Sequence, residues 1–450
     1  MAGVKHNLVA NLYSTAAVAV GQIALVPIFL HCWGQVYYGQ WLVLSAVPAY
    51  LALSDIGISN ALGNEFSIAV ERGENTRAEN LIGAVWRFQA WFAFALALAM
   101  GLALAVLPLQ GWLKNTALTH HEFFAVLLLL TAYSLLPLQI GSFSGVYRAA
   151  RAFPQYLLLQ GHIRVLEVLG TAVLLLAHAS MVWLAALLVL LRIIMLSTLV
   201  MRAKRMLPAL TFHWQAGSWN DFRGLLPTGA GFFAFPVGNA LINQGVTLVV
   251  NGAGGPAAVV LLSVCRQVGR LFLQTSSILF TSLHPEVTTA FARFDRTRML
   301  RLQSGAFSLS LVLGVMFSIG TFFLGGWVVQ LWTGLAGVSS IVVGVFAMEA
   351  VTASLANLSL IVPWAASRLG PLPVAYLAVQ LLSLIASWLA FPAFGIAAVG
   401  GTFLSGNVIF GAIALRMSLG ELDCHLPDFL RSGWGGLREA AGISLRVRFS

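Results

Sequence analysis

The sequence predicts an all-α polytopic membrane protein: about twelve transmembrane helices in two six-helix lobes around a central cavity, with both termini cytoplasmic. Three observations predict it. Of 450 residues, 59% are hydrophobic and only 9% charged, with a mean hydropathy of +0.87; a soluble domain carries roughly 25% charged residues. The apolar residues form continuous runs, each long enough for a ~30 Å hydrocarbon layer, and do not alternate as barrel strands do. The basic residues are segregated. Nineteen of the 25 Lys and Arg fall in the N-terminus, the even-numbered gaps between runs and the C-terminal tail, and only Lys114 falls in an odd gap. Basic residues near short loops stay cytoplasmic, which makes the number of spans even.

The spans in order are 8–32, 38–63, 81–108, 122–147, 156–178 and 181–201, then 223–250, 256–282, 302–325, 339–363, 371–391 and 395–416. They define an N-terminal lobe over 1–201, a cytoplasmic linker over 202–222, a C-terminal lobe over 223–416 and a basic cytoplasmic tail over 417–450. The first run lacks a short h-region with a cleavage site and reads as a retained helix. Trp33, Trp41, Trp112, Trp183, Trp219, Trp327 and Trp364 lie near span ends, where aromatic belts form. The outer loops are short; the longest is 109–121. The tail end, Ile443–Ser450, alternates apolar residues with Arg and is expected at the cytoplasmic surface or disordered.

The two halves share a weak repeat. Span 4 exits through Tyr147-Arg148-Ala149-Ala150-Arg151-Ala152-Phe153-Pro154 with Tyr156 following, and span 10 through Trp364-Ala365-Ala366-Ser367-Arg368-Leu369-Gly370-Pro371 with Tyr376 following. An offset of six spans keeps both halves in one orientation, related by an axis along the membrane normal.

Composition also excludes classes. The net charge of +10 is mainly a topology signal that suits anionic lipid headgroups, so no nucleic-acid partner is expected. Cys32, Cys265 and Cys424 are far apart and read as apolar fillers. His120-His121-Glu122 reads as a solvated helix start, since a zinc site needs tetrahedral ligands at suitable spacing. No P-loop, G-x-S-x-G or H-E-x-x-H sequence is present, and no cofactor or metal is expected.

Polar residues inside the spans recur at helical spacing. Span 8 carries Ser263, Arg266, Gln267, Arg270, Gln274, Ser277 and Thr281. Span 5 carries Gln160, Arg164, Glu167 and Thr171, and span 7 carries Asn239, Asn243, Thr247 and Asn251. Span 1 adds Asn11, Thr15 and Gln22, span 2 Asp55, span 6 Arg192, span 10 Glu349 and Thr352, and span 11 Gln380, Ser383 and Ser387. Arg87, Arg164, Arg192, Arg266 and Arg270 thus sit within or at the edge of spans, against three acids, Asp55, Glu167 and Glu349. An arginine at the bilayer centre costs about 2.5–3.5 kcal/mol, so five facing lipid would cost about 12–18 kcal/mol. They are expected to line a hydrated cavity or pair internally, and the excess of positive charge fits an anion. Arg forks match phosphate oxygens. Arg266 and Arg270, one turn apart with no acid in their stripe, are the leading pyrophosphate ligands, with Arg164 and Arg192 beside them. Asn239, Asn243, Gln267 and Gln274 add hydrogen-bonding amides to these stripes, and Asp55, Glu167 and Glu349 are the acids among them. Structural readings stand beside these: an Arg164–Glu167 pair, Arg87 snorkelling to the cytoplasmic face, Arg192 locking two helices, and the span 7 asparagines bonding between helices.

One stretch resembles a known family. Gln22-Ile23, Pro27, Gly34, Tyr38-Gly39-Gln40-Trp41, Leu53-Ser54-Asp55-Ile56-Gly57, Asn60 and Asn64-Glu65 are similar to the start of the Wzx-type polysaccharide biosynthesis (O-antigen flippase) family of the multidrug/oligosaccharidyl-lipid/polysaccharide exporter superfamily. Ser282-Leu283-His284-Pro285-Glu286 is similar to a proline-containing loop of the second half. The resemblance covers roughly the first 80 residues and extends to the rest in topology alone. It implies a flippase of the bacterial inner membrane. Such a protein moves an undecaprenyl-pyrophosphate-linked oligosaccharide, an O-antigen or exopolysaccharide repeat unit, from the cytoplasmic to the periplasmic leaflet, alongside glycan polymerase and chain-length machinery. Two alternatives remain open: a multidrug/cation antiporter of the same superfamily, which needs an acidic cavity, and a membrane glycan polymerase or ligase, which needs a sizeable outer loop.

Overall fold

A computed structural model describes residues 2–55, 58–106, 118–208, 210, 216–225, 234–366 and 368–435. Trp112, Lys114, Ile56, Gly57, Ser367, Arg438 and the 443–450 tail end lie outside the described residues, as do the side chains of Lys5, Asn11, Thr15, Asn60, Asn64 and Pro285. Among the described residues the regular structure is helical. Ten helices are long and apolar enough to cross a membrane. The first, Ala16–Ala49, and the sixth, Phe235–Phe291, span 34 and 57 residues, more than the ~20 that one crossing needs.

A glycine breaks each of these two. Gly34 has φ 71° and ψ 172°, and Gly255 has φ 77° and ψ −179°, a left-handed region that side chains rarely occupy. At Gly34 the chain turns back. The Phe29 and Tyr38 rings stack with centroids 4.7 Å apart, whereas nine residues of straight helix would hold them about 13 Å apart. Gly34 and Gly255 fall in the gaps expected between spans 1 and 2 and between spans 7 and 8.

The backbone carries the repeat that the sequence shows weakly. Positive φ recurs at Gly34 and Gly255, Gly73 and Phe294, Arg151 and Gly370, and His178 and Gly395, pairs 217 to 221 positions apart. Side chains follow it. Arg77 Nη2 lies 3.0 Å from Glu65 Oε2, and Arg298 Nη2 lies 2.6 Å from Glu286 Oε2, both residues moved on by 221.

The chain divides into two compact units, residues 1–260 and 261–450. In the first, a core of Leu62, Phe66, Phe143, Tyr147, Met195 and Leu199 joins helices Ile58–Glu71, His120–Ala149 and Met181–Met206. Small residues set the closest approach: Gly63 meets Gly145 backbone to backbone, and a Cβ on Gly141 would lie 2.7 Å from Ser59 Oγ. Membrane helices gain dispersion contact this way where no hydrophobic drive separates them from lipid. In the second unit, Val287, Met299, Leu358, Ile361 and Phe429 form the core. Ser340–Ser359 packs between Arg296–Thr333 and Ile396–Leu422, and Leu372–Phe394 packs on Ile396–Leu422.

Candidate functional site: an intramembrane arginine cluster in each unit

In the first unit one carboxylate holds two arginines. Phe153–Leu176 presents Arg164 and Glu167 one turn apart, and Met181–Met206 presents Arg192. Glu167 is 3% exposed. Its Oε2 lies 2.8 Å from Arg164 Nη1 and its Oε1 lies 3.1 Å from Arg192 Nε. Arg192 Nη2 donates to the Tyr133 hydroxyl at 3.0 Å, and its guanidinium stands 4.9 Å from the centre of that ring. The Arg164–Glu167 pairing is therefore present, and Arg192 completes it as a lock between helices. The cluster keeps one net positive charge. The Arg164 side chain is 40% exposed and that of Arg192 15%, so the surplus is most accessible at Arg164.

The second unit repeats the two-to-one ratio from different helices. Gly269 lies between Arg266 and Arg270, and a Cβ there would stand 2.9 Å from the Phe346 carbonyl oxygen and 3.0 Å from Ala350 Cβ. This close approach brings Ser340–Ser359 against the arginine face, and Glu349 on that helix interacts electrostatically with both Arg266 and Arg270. The arginines lack an acid in their own stripe but acquire one from a neighbouring helix. Asn407 Nδ2 donates to Glu349 Oε1 at 3.1 Å, and Gln380 Nε2 donates to Asn407 Oδ1 at 3.5 Å. Gln267 is buried and Gln274 half-buried on the same helix.

Asp55 stands apart from both clusters. Its Oδ1 accepts from Ser59 Oγ at 2.7 Å, Ser59 N at 3.2 Å and Gln89 Nε2 at 3.2 Å, and Ser142 Oγ donates to Gln89 Oε1 at 2.7 Å. These three donors to Asp55 are all neutral. Asn239 precedes a π-helical turn, Leu241–Gly245, and Asn243 lies within it; Asn243 Nδ2 donates to the Asn239 carbonyl at 2.8 Å. Such turns widen a helix locally and recur at functional sites.

Two residues turn to other work. Arg87 Nη2 donates to the Gly217 carbonyl at 2.7 Å, just before the short helix Trp219–Arg223. Glu122 Oε2 accepts from Thr119 N at 3.0 Å and Thr119 Oγ1 at 2.9 Å, a capping box at the helix start. Sequence reasoning missed Tyr133, Gln89, Ser142 and Asn407. Asn407 had a signal, a single amide in an apolar span; Tyr133 is an aromatic among aromatics and had none.

No protein-family model matches the sequence, and no curated protein matches it. Solved structures do resemble the fold. An inward-facing multidrug-resistance MATE family transporter of the MOP superfamily aligns over 92% of this chain and 94% of its own, with a TM-score of 0.70 at 11% identity. The lipid II flippase MurJ, in an inward closed conformation, aligns over 98% of this chain and 92% of its own, with a TM-score of 0.70 at 12% identity. A variant of the Vibrio cholerae MATE transporter VcmN aligns over 94% and 97%, with a TM-score of 0.61 at 15% identity. The chain is a multi-pass membrane protein with the fold that these transporters and this flippase share.

Proposed function

We propose that the protein is a flippase. It moves an undecaprenyl-pyrophosphate-linked oligosaccharide, an O-antigen or exopolysaccharide repeat unit, from the cytoplasmic to the periplasmic leaflet of the bacterial inner membrane by alternating access. One observation carries this reading: each unit holds two intramembrane arginines against one glutamate, which leaves positive charge where an anionic headgroup would cross. The resemblance of the first 80 residues and the fold of a lipid II flippase support it. Counting each glycine-broken helix as two gives twelve spans. We place the lobes at 1–201 and 223–416, joined by 202–222, with the tail 417–450 and both termini in the cytoplasm. Arg266, Arg270, Arg164 and Arg192 take the pyrophosphate. Asn239, Asn243, Gln267 and Gln274 face the glycan, and Asp55, Glu167 or Glu349 carries a coupling ion. Glycan polymerase and chain-length machinery act next on the product.

A second reading rests on Asp55. A carboxylate held by neutral donors suits a proton or a cation, and several of the similar structures are MATE transporters, so a cation antiporter is the competing function. Surface polysaccharide in cells carrying Arg266→Ala with Arg270→Ala at normal protein abundance separates the two. The flippase reading expects its loss, and unimpaired glycan together with dye efflux from vesicles would establish the antiporter.

A further inference from the structure

Arg148 belongs among the residues that the topology rule explains, yet its surroundings do not suit a loop anchor. Three positions on, Arg151 behaves as one: its side chain is 86% exposed and it pairs with Glu71 at 3.5 Å. Arg148 is half-buried at the end of His120–Ala149. Its Nη2 donates to Ser144 Oγ at 3.2 Å, its guanidinium stands 5.6 Å from the centre of the Phe153 ring, and its Nε is buried with no hydrogen-bond partner. Among the described residues no carboxylate lies within ion-pairing distance of it. Gly63 on the facing helix makes the room, since a Cβ there would stand 3.0 Å from Arg148 Nη2.

The repeat supplies an internal control. Arg148, Tyr156 and Gln160 recur 220 positions on as Arg368, Tyr376 and Gln380. Arg368 is 68% exposed and pairs with Glu421 at 3.3 Å. The same position thus carries a solvated, acid-paired arginine in one unit and a half-buried, acid-free one in the other. A half-buried guanidinium with an unmet donor is costly to keep without an anion. The Phe153 ring beneath Arg148 stacks on the buried Tyr156 ring at 5.8 Å, and the Tyr156 hydroxyl lies in the field of Arg148, Arg192 and Asp55 alike. Arg148 therefore adjoins the Arg192–Glu167–Arg164 cluster on the side that the basic loops assign to the cytoplasm.

We propose that Arg148 is a phosphate-binding residue that receives a lipid-borne phosphate at the cytoplasmic end of the first unit, ahead of Arg192 and Arg164. As the first contact of the transported lipid, this rests on the flippase reading; as a phosphate site, it stands without it. The occupant is either the pyrophosphate of that lipid or the headgroup of an anionic phospholipid.

The test uses the full chain in phosphatidylcholine nanodiscs and native mass spectrometry of bound lipid. Undecaprenyl pyrophosphate is titrated in one arm and phosphatidylglycerol in the other. Arg148→Gln should weaken undecaprenyl pyrophosphate about tenfold, as loss of one charged contact does. Arg148→Lys should lose less, Ser144→Ala, which frees the guanidinium, should fall between, and Arg151→Gln should match the wild type. Should Arg148→Gln fail to fold, the Lys and Ala variants decide by the same order. Loss confined to the phosphatidylglycerol arm keeps the site and names the leaflet's own phospholipid as its occupant. A wild type that binds phosphatidylglycerol through Arg148 but no undecaprenyl pyrophosphate overturns the flippase reading alone. Variants that bind both lipids as the wild type does overturn the site.

Discussion

Glu167 Oε1 lies 3.1 Å from Arg192 Nε while its other oxygen holds Arg164 at 2.8 Å, so one buried carboxylate ties two helices together. Removing it strands the Arg192 guanidinium, 15% exposed, in a low-dielectric site. Glu167→Gln is expected to cost about 3–5 kcal/mol, read as a lower melting temperature in detergent and lower abundance in cells. Arg164→Gln should cost much less, because that side chain is 40% exposed and water screens what it loses. Equal losses from the two variants would contradict the geometry.

Gly269 fixes the second cluster in the same physical sense. Its absent Cβ lets Ser340–Ser359 approach until the Phe346 carbonyl oxygen is 2.9 Å from where that atom would be. Gly269→Ala must push backbone, which a flexible side chain cannot absorb, and overpacking of this kind costs about 1–3 kcal/mol. The displacement also moves Glu349 away from Arg266 and Arg270. Transport should therefore fall further than stability does, measured as surface glycan per folded molecule. Glycan at the wild-type level with an unchanged melting point would show that the helices do not need this approach.

The cysteines give a topology test. Cys32 is half-buried two residues before the Gly34 turn, Cys265 is buried, and Cys424 is half-buried just past the last long helix. A membrane-impermeant maleimide should label Cys32 in intact spheroplasts and Cys424 only after permeabilisation, and should spare Cys265. Burial and the nearby Asp428 carboxylate push the Cys424 thiol up, so its labelling should accelerate as pH rises and thiolate forms. Labelling of Cys424 from outside would invert the expected orientation.

Much of the fold was legible because hydrophobic runs and basic loops act through the membrane, which reads length and charge directly. The arginines were legible for the same reason: Arg164, Arg192, Arg266 and Arg270 violate the solvent they sit in. Their partners were not. Glu349 reaches Arg266 and Arg270 across helices far apart in sequence, and nothing in a helical stripe records which other stripe it faces. Arg148 reads as a loop residue in the sequence, since charge and position near a span end describe it as well as they describe Arg151. Only burial separates the two. The repeat was faint in side chains and plain in φ, because a turn fixes backbone conformation while tolerating varied residues, as Arg151 and Gly370 do at φ 54° and 45°.

Gly34 and Gly255 share one conformation at equivalent turns, yet their surroundings differ, and so should their variants. At Gly34 the turn brings Trp33 against Trp41 at 5.9 Å and lets Trp33 Nε1 donate to the Ala179 carbonyl at 3.3 Å. An alanine at φ 71° costs about 1–2 kcal/mol, and relaxing toward helix would also separate the stacked Phe29 and Tyr38 rings, worth about 0.5–1.5 kcal/mol. Gly34→Ala should therefore lower stability by about 1.5–3.5 kcal/mol and alter near-ultraviolet circular dichroism. A Cβ at either glycine meets no described atom within 4 Å, so Gly255→Ala should lose the backbone term alone, with the Phe29–Tyr38 stack and its aromatic signal intact. If Gly34→Ala leaves that signal unchanged, the first broken helix runs straight and the twelve-span count falls with it.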